Sequence, residues 1–187
     1  LNFPKVHVHG TSFGAMIEII IAYKYPDLID KLILSCFLTK YDNAAQMMRN
    51  TWKRAALESG MDAVADLTSV AGFARSFYDR NEADHQLESM REAFKKTTPD
   101  AFINGTKMIE KSDMSYMAKK IKLPILVLSG DEDNMTPFKT SNSGSGMQEF
   151  SESASNCKVK VIEKCGHYLV IEQPETASNL IREFLKN

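Results

Sequence analysis

The stretch Lys5-Val6-His7-Val8-His9-Gly10-Thr11-Ser12-Phe13-Gly14-Ala15, near the start of the chain, decides the fold. Its alternating apolar residues predict a β-strand over residues 5–9, and the apolar run that follows predicts a helix over 14–25. Between the two lies a match to the pattern G-x-S-x-G, in the strand–turn–helix context that this pattern requires. The alternative is a serine in an ordinary strand-to-helix turn.

The residue types in this turn suit a nucleophilic serine. A serine hydroxyl is a weak nucleophile until a base takes its proton, and a sharp turn lifts the Ser12 side chain clear of the sheet, where a base can reach it. Side chains at positions 10 and 14 would crowd such a turn, so glycine is expected at both. The helix directs its positive end at the reacting group, which makes the Phe13 N–H the candidate oxyanion donor.

Composition excludes several classes of partner. The 187 residues fit one domain, and 23 basic residues are mixed with 24 acidic ones, which gives no reason to expect nucleic acid or an anionic membrane surface. No apolar run approaches the roughly 18–20 residues of a membrane span. Three cysteines without metal-ligand spacing predict free thiols in a reducing, cytoplasmic compartment. His7 and His9 share a strand face with no third ligand apparent, so no metal is expected there.

Hydrophobic patterning divides the chain into three parts. Residues 1–40 carry the Ser12 turn and end in a second apolar strand, which predicts a βαβ unit of a buried parallel sheet. Residues 41–122 have apolar residues at helical spacing and predict a helical cap over the sheet. Residues 123–187 return to sheet character. The predicted elements after the first helix are a strand at 31–38, helices at 43–58, 61–71, 82–96, 99–111 and 113–120, a strand at 123–130, a helix at 145–154, a strand at 158–163 and a helix at 174–186.

Three chemically suited groups each follow a predicted parallel strand. They are Ser12, the acidic run Asp131-Glu132-Asp133, and His167. Parallel sheets place their sites beyond the carboxyl ends of the strands, so we expect these groups to meet. A serine, an acid and a histidine in this chain order are the components of a catalytic triad.

The sequence resembles the α/β-hydrolase superfamily over essentially its whole length. The resemblance is carried by Gly10-Thr11-Ser12-Phe13-Gly14, by Gly130-Asp131-Glu132-Asp133-Asn134-Met135-Thr136-Pro137, and by Gly166-His167 with Glu172-Gln173-Pro174. It implies an α/β fold with a mostly parallel sheet, helices on both faces and a helical cap insert. Within the superfamily the chain looks most like capped hydrolases related to 3-oxoadipate enol-lactonases and small carboxylesterases.

The resemblance also implies roles. Ser12 would be the nucleophile and His167 the general base. Asp133 would orient the histidine, because the family pattern G-x-x-D-x-x-x-P fits Gly130 and Pro137 around it. The other two acids of the run are expected to be solvated.

A complete fold of this family has further strands and helices before the nucleophile strand, and these carry the second oxyanion N–H. Without them the first strand would be an exposed sheet edge. Three explanations stay open: an N-terminal portion beyond the printed sequence, a second polypeptide that completes the sheet, or two copies that pair through the edge. We favour the first, because the strand, cap and triad look intact.

These observations predict a serine hydrolase that cleaves a small carboxylic ester or lactone through an acyl-enzyme, without metal or cofactor. C–C bond hydrolysis and acyl transfer use the same triad and stay open. Another alternative is a non-catalytic ligand-binding receptor with this fold, and a third is an inactive truncated fragment of a hydrolase. The candidate substrate-binding residues are aromatic side chains of the cap, namely Trp52, Phe73, Phe77 and Phe102.

Overall fold

The computed structural model describes residues 4–186. The predicted segments 1–40 and 123–187 also include residues 1–3 and Asn187, which lie outside the described residues. Strands and helices alternate at both ends of this range, and four helices follow one another in the middle. The elements are β1 Val6–Thr11, α1 Phe13–Lys24, β2 Ile29–Ser35, β3 Leu38–Lys40, α2 Asn43–Glu58, α3 Met61–Gly72, α4 Ala83–Lys95, α5 Pro99–Glu110, β4 Ile125–Gly130, β5 Ser145–Gly146, α6 Met147–Ser153, β6 Cys157–Ile162, α7 Leu169–Glu172 and α8 Pro174–Lys186.

The main sheet is parallel, with strand order β1-β2-β4-β6. One row of residues crosses it: Gly10 pairs with Leu34, Leu34 with Val127, and Val127 with Val159. Because all four strands run the same way, their carboxyl ends lie at one edge of the sheet. The turns that hold the predicted triad therefore emerge at the same edge of the sheet.

Helices cover both faces of this sheet, as the sequence predicts. Leu32, Leu34 and Val127 pack on one face against the apolar sides of α1 and α6. Ile33 and Leu126 point to the opposite face and pack against α8. Because successive strand side chains alternate between faces, strands buried on both sides appear in sequence as near-continuous apolar runs.

Helices α2–α5 form an insertion between β3 and β4. The Asp42 carboxylate caps α2 by accepting a 2.8 Å hydrogen bond from the Ala45 N–H. Thr98 caps α5 in the same way, followed by Pro99 at the first helical position, which confirms the start predicted from the sequence. The insertion has its own apolar core, built from Trp52, Ala56, Met61 and Val64.

Three predicted elements differ from the structure. The strand at 31–38 is interrupted by Cys36, whose φ of 50° ends β2, and the short β3 then pairs antiparallel with β5 in a second, two-stranded sheet. That pairing also removes the first two residues of the helix predicted at 145–154. The prediction of a helix at 113–120 is wrong. The Asp113 side chain instead accepts from the Ser115 N–H and hydroxyl, and only Ala118–Lys120 form a short 3-10 turn.

Within the described residues β1 is an outer strand of the sheet. Its Val6 is 42% exposed, and His7 lies 3.3 Å from the Asp30 carboxylate on the neighbouring strand. Among residues 4–186, none of the helices combines the length and the apolar character that crossing a bilayer requires.

Candidate active site

The turn at Ser12 joins the end of β1 directly to the start of α1. Ser12 has φ 55° and ψ −119°, a backbone conformation that non-glycine residues rarely adopt, and its N–H donates to the Ser35 carbonyl at 2.9 Å. Strain of this kind persists only where the surroundings impose it, and it clusters at functional sites.

The two glycines of this turn are not equivalent. A Cβ at Gly10 would lie 2.6 Å from the Gly14 carbonyl oxygen and 2.7 Å from the Ala15 Cα, so a side chain is excluded there. A Cβ at Gly14 would meet no heavy atom within 4 Å among the described residues. The expectation that crowding requires glycine at position 14 is therefore wrong. Position 14 lies on the open side of the first turn of α1.

Asp133 and His167 meet beyond the ends of β4 and β6. The His167 Nδ1 lies 3.0 Å from the Asp133 Oδ2, and both side chains are almost fully buried. A carboxylate in this position holds the proton on Nδ1. The other ring nitrogen, Nε2, is thereby left as the proton acceptor.

Asp133 is held by a dense set of donors. The Met135 and Thr136 N–H groups donate to its Oδ1, each at 2.9 Å, and the Thr136 hydroxyl donates to its Oδ2 at 2.7 Å. Burial alone would raise the pKa of Asp133, but the facing His167 and these hydrogen bonds outweigh it and lower the pKa. The carboxylate therefore stays ionised despite its burial.

Glu172 fixes the loop that carries His167. Its carboxylate accepts from the Ala74 N–H at 2.9 Å and from the Gly166 N–H at 3.0 Å, and the His167 N–H donates to the Gly72 carbonyl. Burial raises the pKa of Glu172 in spite of these two donors. These contacts tie the histidine loop to the end of α3.

Ser12 and His167 line one cavity of about 250 Å³. The sheet edge supplies one wall and the helical insertion the other. Its remaining lining residues are Thr11, Arg49, Trp52, Thr68, Phe94, Phe102, Met135 and Tyr168. The structure thus brings two of the four candidate substrate-binding residues, Trp52 and Phe102, to the cavity that contains the nucleophile.

The structure does not bring Phe73 and Phe77 there. Their rings stack on each other at 4.1 Å, and Phe73 packs against Tyr168 with 4.7 Å between ring centroids. Phe77 is fully buried in this cluster, behind the cavity wall. Phe77 therefore serves packing alone, whereas Phe73 also lines a second depression outside the Ser12 cavity.

The other two acids of the run do not reach the cavity. Asp131 accepts from the Cys165 N–H at 3.2 Å, and Glu132 accepts from the Arg75 N–H at 2.8 Å. Both line a separate depression of about 770 Å³, which neither Ser12 nor His167 lines. Their carboxylates fix loops on the outer side of the site.

A thiol lies against the Asp133–His167 pair. The Cys36 Sγ, a carboxylate oxygen of Asp133 and a ring nitrogen of His167 lie within 4.8 Å of one another, close enough to hold a metal ion. Burial, with the Asp133 charge nearby, raises the pKa of Cys36 well above its ordinary value. A protonated thiol is a poor metal ligand, and the other two groups already bond each other. The cluster therefore fits packing behind the pair better than metal binding.

Sequence reasoning missed Arg49, Thr136 and Glu172. The last two stand inside the motifs quoted for the resemblance, but only the packed structure shows which backbone groups they bond. Arg49 precedes Trp52 by three residues on α2, so helical spacing alone would have placed both on one face.

A strained serine turn, a buried acid–histidine pair and a parallel sheet with helices on both faces together define the α/β-hydrolase fold. The predicted superfamily and fold class are thereby confirmed. More narrowly, the chain belongs to the family described as serine aminopeptidase, S33, whose model matches residues 2–174.

Known proteins of this fold are similar over nearly all of the chain. Human monoacylglycerol lipase ABHD6 is 25% identical over 195 residues, which cover 99% of this chain and 56% of the lipase. The crystal structure of MGS-M2, an alpha/beta hydrolase enzyme from a Medee basin deep-sea metagenome library, matches with a TM-score of 0.87 and 25% identity, over 100% of this chain and 66% of that one. The enol-lactonase from Burkholderia xenovorans LB400 matches with a TM-score of 0.84 and 20% identity, over 98% and 66% of the two chains. The chain therefore spans about 56% to 66% of the length of these relatives.

Proposed function

We propose that this protein is a serine hydrolase that cleaves a small carboxylic ester or lactone through an acyl-enzyme on Ser12. One observation carries the proposal: Ser12 stands on a strained turn in the same cavity as His167, and the Nδ1 of His167 is held by the buried Asp133.

The proposed reaction has two halves. In the first, the Ser12 Oγ attacks the carbonyl carbon while the His167 Nε2 takes its proton and then passes it to the leaving alcohol. In the second, His167 takes a proton from water, which attacks the acyl carbon and releases the acid and free Ser12. Asp133 stabilises the imidazolium that forms in each half. The Phe13 N–H, which begins α1 and has no intrahelical acceptor, bonds the oxyanion.

The substrate class follows from the walls of the cavity. A volume of about 250 Å³ is below the 300–1,000 Å³ that is usual for drug-sized ligands, so the substrate is small. Trp52, Phe94 and Phe102 give its walls apolar surface, and we assign helices α2–α5 the role of a cap that supplies them. The names of a monoacylglycerol lipase and an enol-lactonase among the similar proteins support an ester or lactone.

The family description names an aminopeptidase, which cleaves beside a free ammonium group. Such a group needs a carboxylate or several oxygen acceptors to replace its water. Among the described residues that line the cavity there is no Asp or Glu, whereas Arg49 is present. The charge of the site therefore favours an ester over a peptide N-terminus.

A fluorophosphonate probe, followed by intact mass spectrometry, tests the proposal. We expect the protein to gain one probe mass and to hydrolyse 4-nitrophenyl esters of short acids. Ser12→Ala should lose both, with an unchanged circular dichroism spectrum, while Ser89→Ala, an exposed serine on α4, should lose neither. Ester turnover that survives in Ser12→Ala would overturn the assignment. Saturable ligand binding by an unlabelled, folded protein without turnover would favour the receptor alternative.

A further inference from the structure

Arg49 interrupts an otherwise apolar stripe of α2. Ala45, Arg49, Trp52 and Ala56 follow at spacings of four, three and four residues, so they share one helix face. The three others are buried apolar side chains of the insertion, whereas Arg49 is half-buried and lines the cavity that contains Ser12 and His167. A charged side chain on a buried helix face calls for a partner.

Aromatic rings hold the Arg49 guanidinium in place. Its carbon lies 5.2 Å from the Tyr41 ring centroid and 4.8 Å from the Trp52 ring centroid, and its Nη2 donates to the Tyr41 hydroxyl at 2.9 Å. A guanidinium has several further N–H donors in a rigid plane. The two rings therefore fix its orientation and leave donors for another ligand.

No described acid neutralises this charge. The salt bridges formed within residues 4–186 do not include Arg49. Glu110, on the facing helix α5, is bonded to Lys53 at 2.6 Å. Asp133 is bonded to His167, and no Asp or Glu is among the described residues that line the cavity.

We propose that Arg49 binds a free carboxylate of the substrate, so that the ester or lactone cleaved at Ser12 is a half-ester or lactone of a dicarboxylic acid. The proposal rests on the proposed function, because it places this anion in the same cavity as the reacting carbonyl. A planar guanidinium held against two rings suits the two oxygens of a carboxylate. Arg49 is then the residue that selects the substrate, while Ser12 and His167 perform the chemistry.

Two matched esters test the selection. The mono-4-nitrophenyl ester of glutaric acid carries the anion, and 4-nitrophenyl butyrate is a neutral ester with the same leaving group. In Arg49→Met we expect kcat/KM for the anionic ester to fall about 10- to 100-fold, the effect of losing a charged hydrogen bond, and to change less than about 3-fold for the butyrate. For the anionic ester, kcat/KM of Arg49→Lys should lie between the values of the unchanged protein and Arg49→Met. Lysine keeps the positive charge but lacks the planar pair of N–H donors. Arg54→Met, at an exposed arginine of the same helix, should leave both values unchanged.

Equal losses for both esters would overturn the proposal, since they would show that Arg49 only packs the insertion. Unchanged kinetics for both would overturn it as well. A binding measurement tests the carboxylate site apart from hydrolysis. In Ser12→Ala, calorimetry should detect the binding of glutarate. The added Arg49→Met should weaken that binding about 10- to 100-fold. Glutarate binding that depends on Arg49 in a protein that hydrolyses neither ester would leave the carboxylate site standing and overturn the hydrolase. Hydrolysis of 4-nitrophenyl butyrate, together with kinetics and glutarate binding that do not depend on Arg49, would support the hydrolase and overturn the carboxylate site.

Discussion

Thr136 is the residue through which the acid and the histidine are held together. Its hydroxyl donates to the Asp133 Oδ2 at 2.7 Å and lies 3.0 Å from the His167 Nδ1. All three groups are buried, so water cannot replace the hydroxyl if it is removed. A lost donor here leaves a carboxylate oxygen under-bonded in a low dielectric.

Thr136→Val keeps the shape and removes the hydroxyl. We expect kcat to fall about 10-fold, because a buried charged acceptor that loses a donor costs about 1–3 kcal/mol. The hydrogen bond from the Thr136 hydroxyl helps to lower the pKa of Asp133, so its loss raises that pKa. The rate of 4-nitrophenyl butyrate hydrolysis measures the change in kcat.

Two variants accompany this measurement. Thr136→Ser should restore kcat, because serine keeps the hydroxyl. Thr140→Val serves as the matched control, because the Thr140 hydroxyl is buried without a hydrogen-bond partner among the described residues. A kcat that is unchanged in Thr136→Val, or that Thr136→Ser does not restore, would show that the hydroxyl does not act on the Asp133–His167 pair.

At the scale of elements, the turn between β1 and α1 leaves no room for a side chain at Gly10 but has room for one at Gly14. Gly10 faces the backbone of Gly14 and Ala15 across the turn, while Gly14 faces open space. Only the first glycine is required by contact with its neighbours in the described structure.

Gly10→Ala should therefore destabilise the protein by about 1–3 kcal/mol, the usual cost of overpacking against groups that cannot move aside. Gly14→Ala should stabilise it by up to about 1 kcal/mol, because alanine favours the helix and glycine does not. Urea unfolding of the two variants beside the unchanged protein measures both effects. A Gly14→Ala variant as unstable as Gly10→Ala would show that crowding extends to position 14.

The local sequence pattern predicted those strands and helices whose burial follows one regular pattern along their length. The central strands β2 and β4 are buried on both faces and α8 packs along one face, so their composition reveals them. Where a tertiary contact decides, pattern failed: the φ of Cys36 splits a strand, and the Asp113 side chain replaces a helix start. The placement of Ser12, Asp133 and His167 at one sheet edge was predictable because each follows a parallel strand. The role of Arg49 was not, since it depends on which rings enclose it and on which acids are already paired.

Across the whole molecule, the Glu172 carboxylate joins the insertion to the histidine loop. Burial raises its pKa in the folded protein, so the folded state holds this proton more tightly than the unfolded chain does. The contribution of this group to the free energy of unfolding is therefore complete below the unfolded value of about 4.3, and it declines as pH rises through the folded value.

Glu172→Gln removes this titration. We expect the difference in unfolding free energy, unchanged protein minus variant, to be largest near pH 4 and to shrink as pH rises toward 7. Denaturant titrations at several pH values measure it, with the exposed Glu175→Gln as the control for the loss of one carboxylate. A difference that grows with pH would mean that the Ala74 and Gly166 hydrogen bonds outweigh burial.

The strands β2 and β4 are neighbours in the sheet, yet the whole insertion lies between them along the chain. The entropy of closing a loop grows only with the logarithm of its length, so insertions of different size can join these strands at little cost to the sheet. The sheet edge supplies Ser12, Asp133 and His167, while the insertion supplies Arg49, Trp52 and Phe102. In the proposed hydrolase, the half of the cavity that selects a substrate can therefore change with the insertion while the reacting half stays the same, so one sheet can serve many substrates.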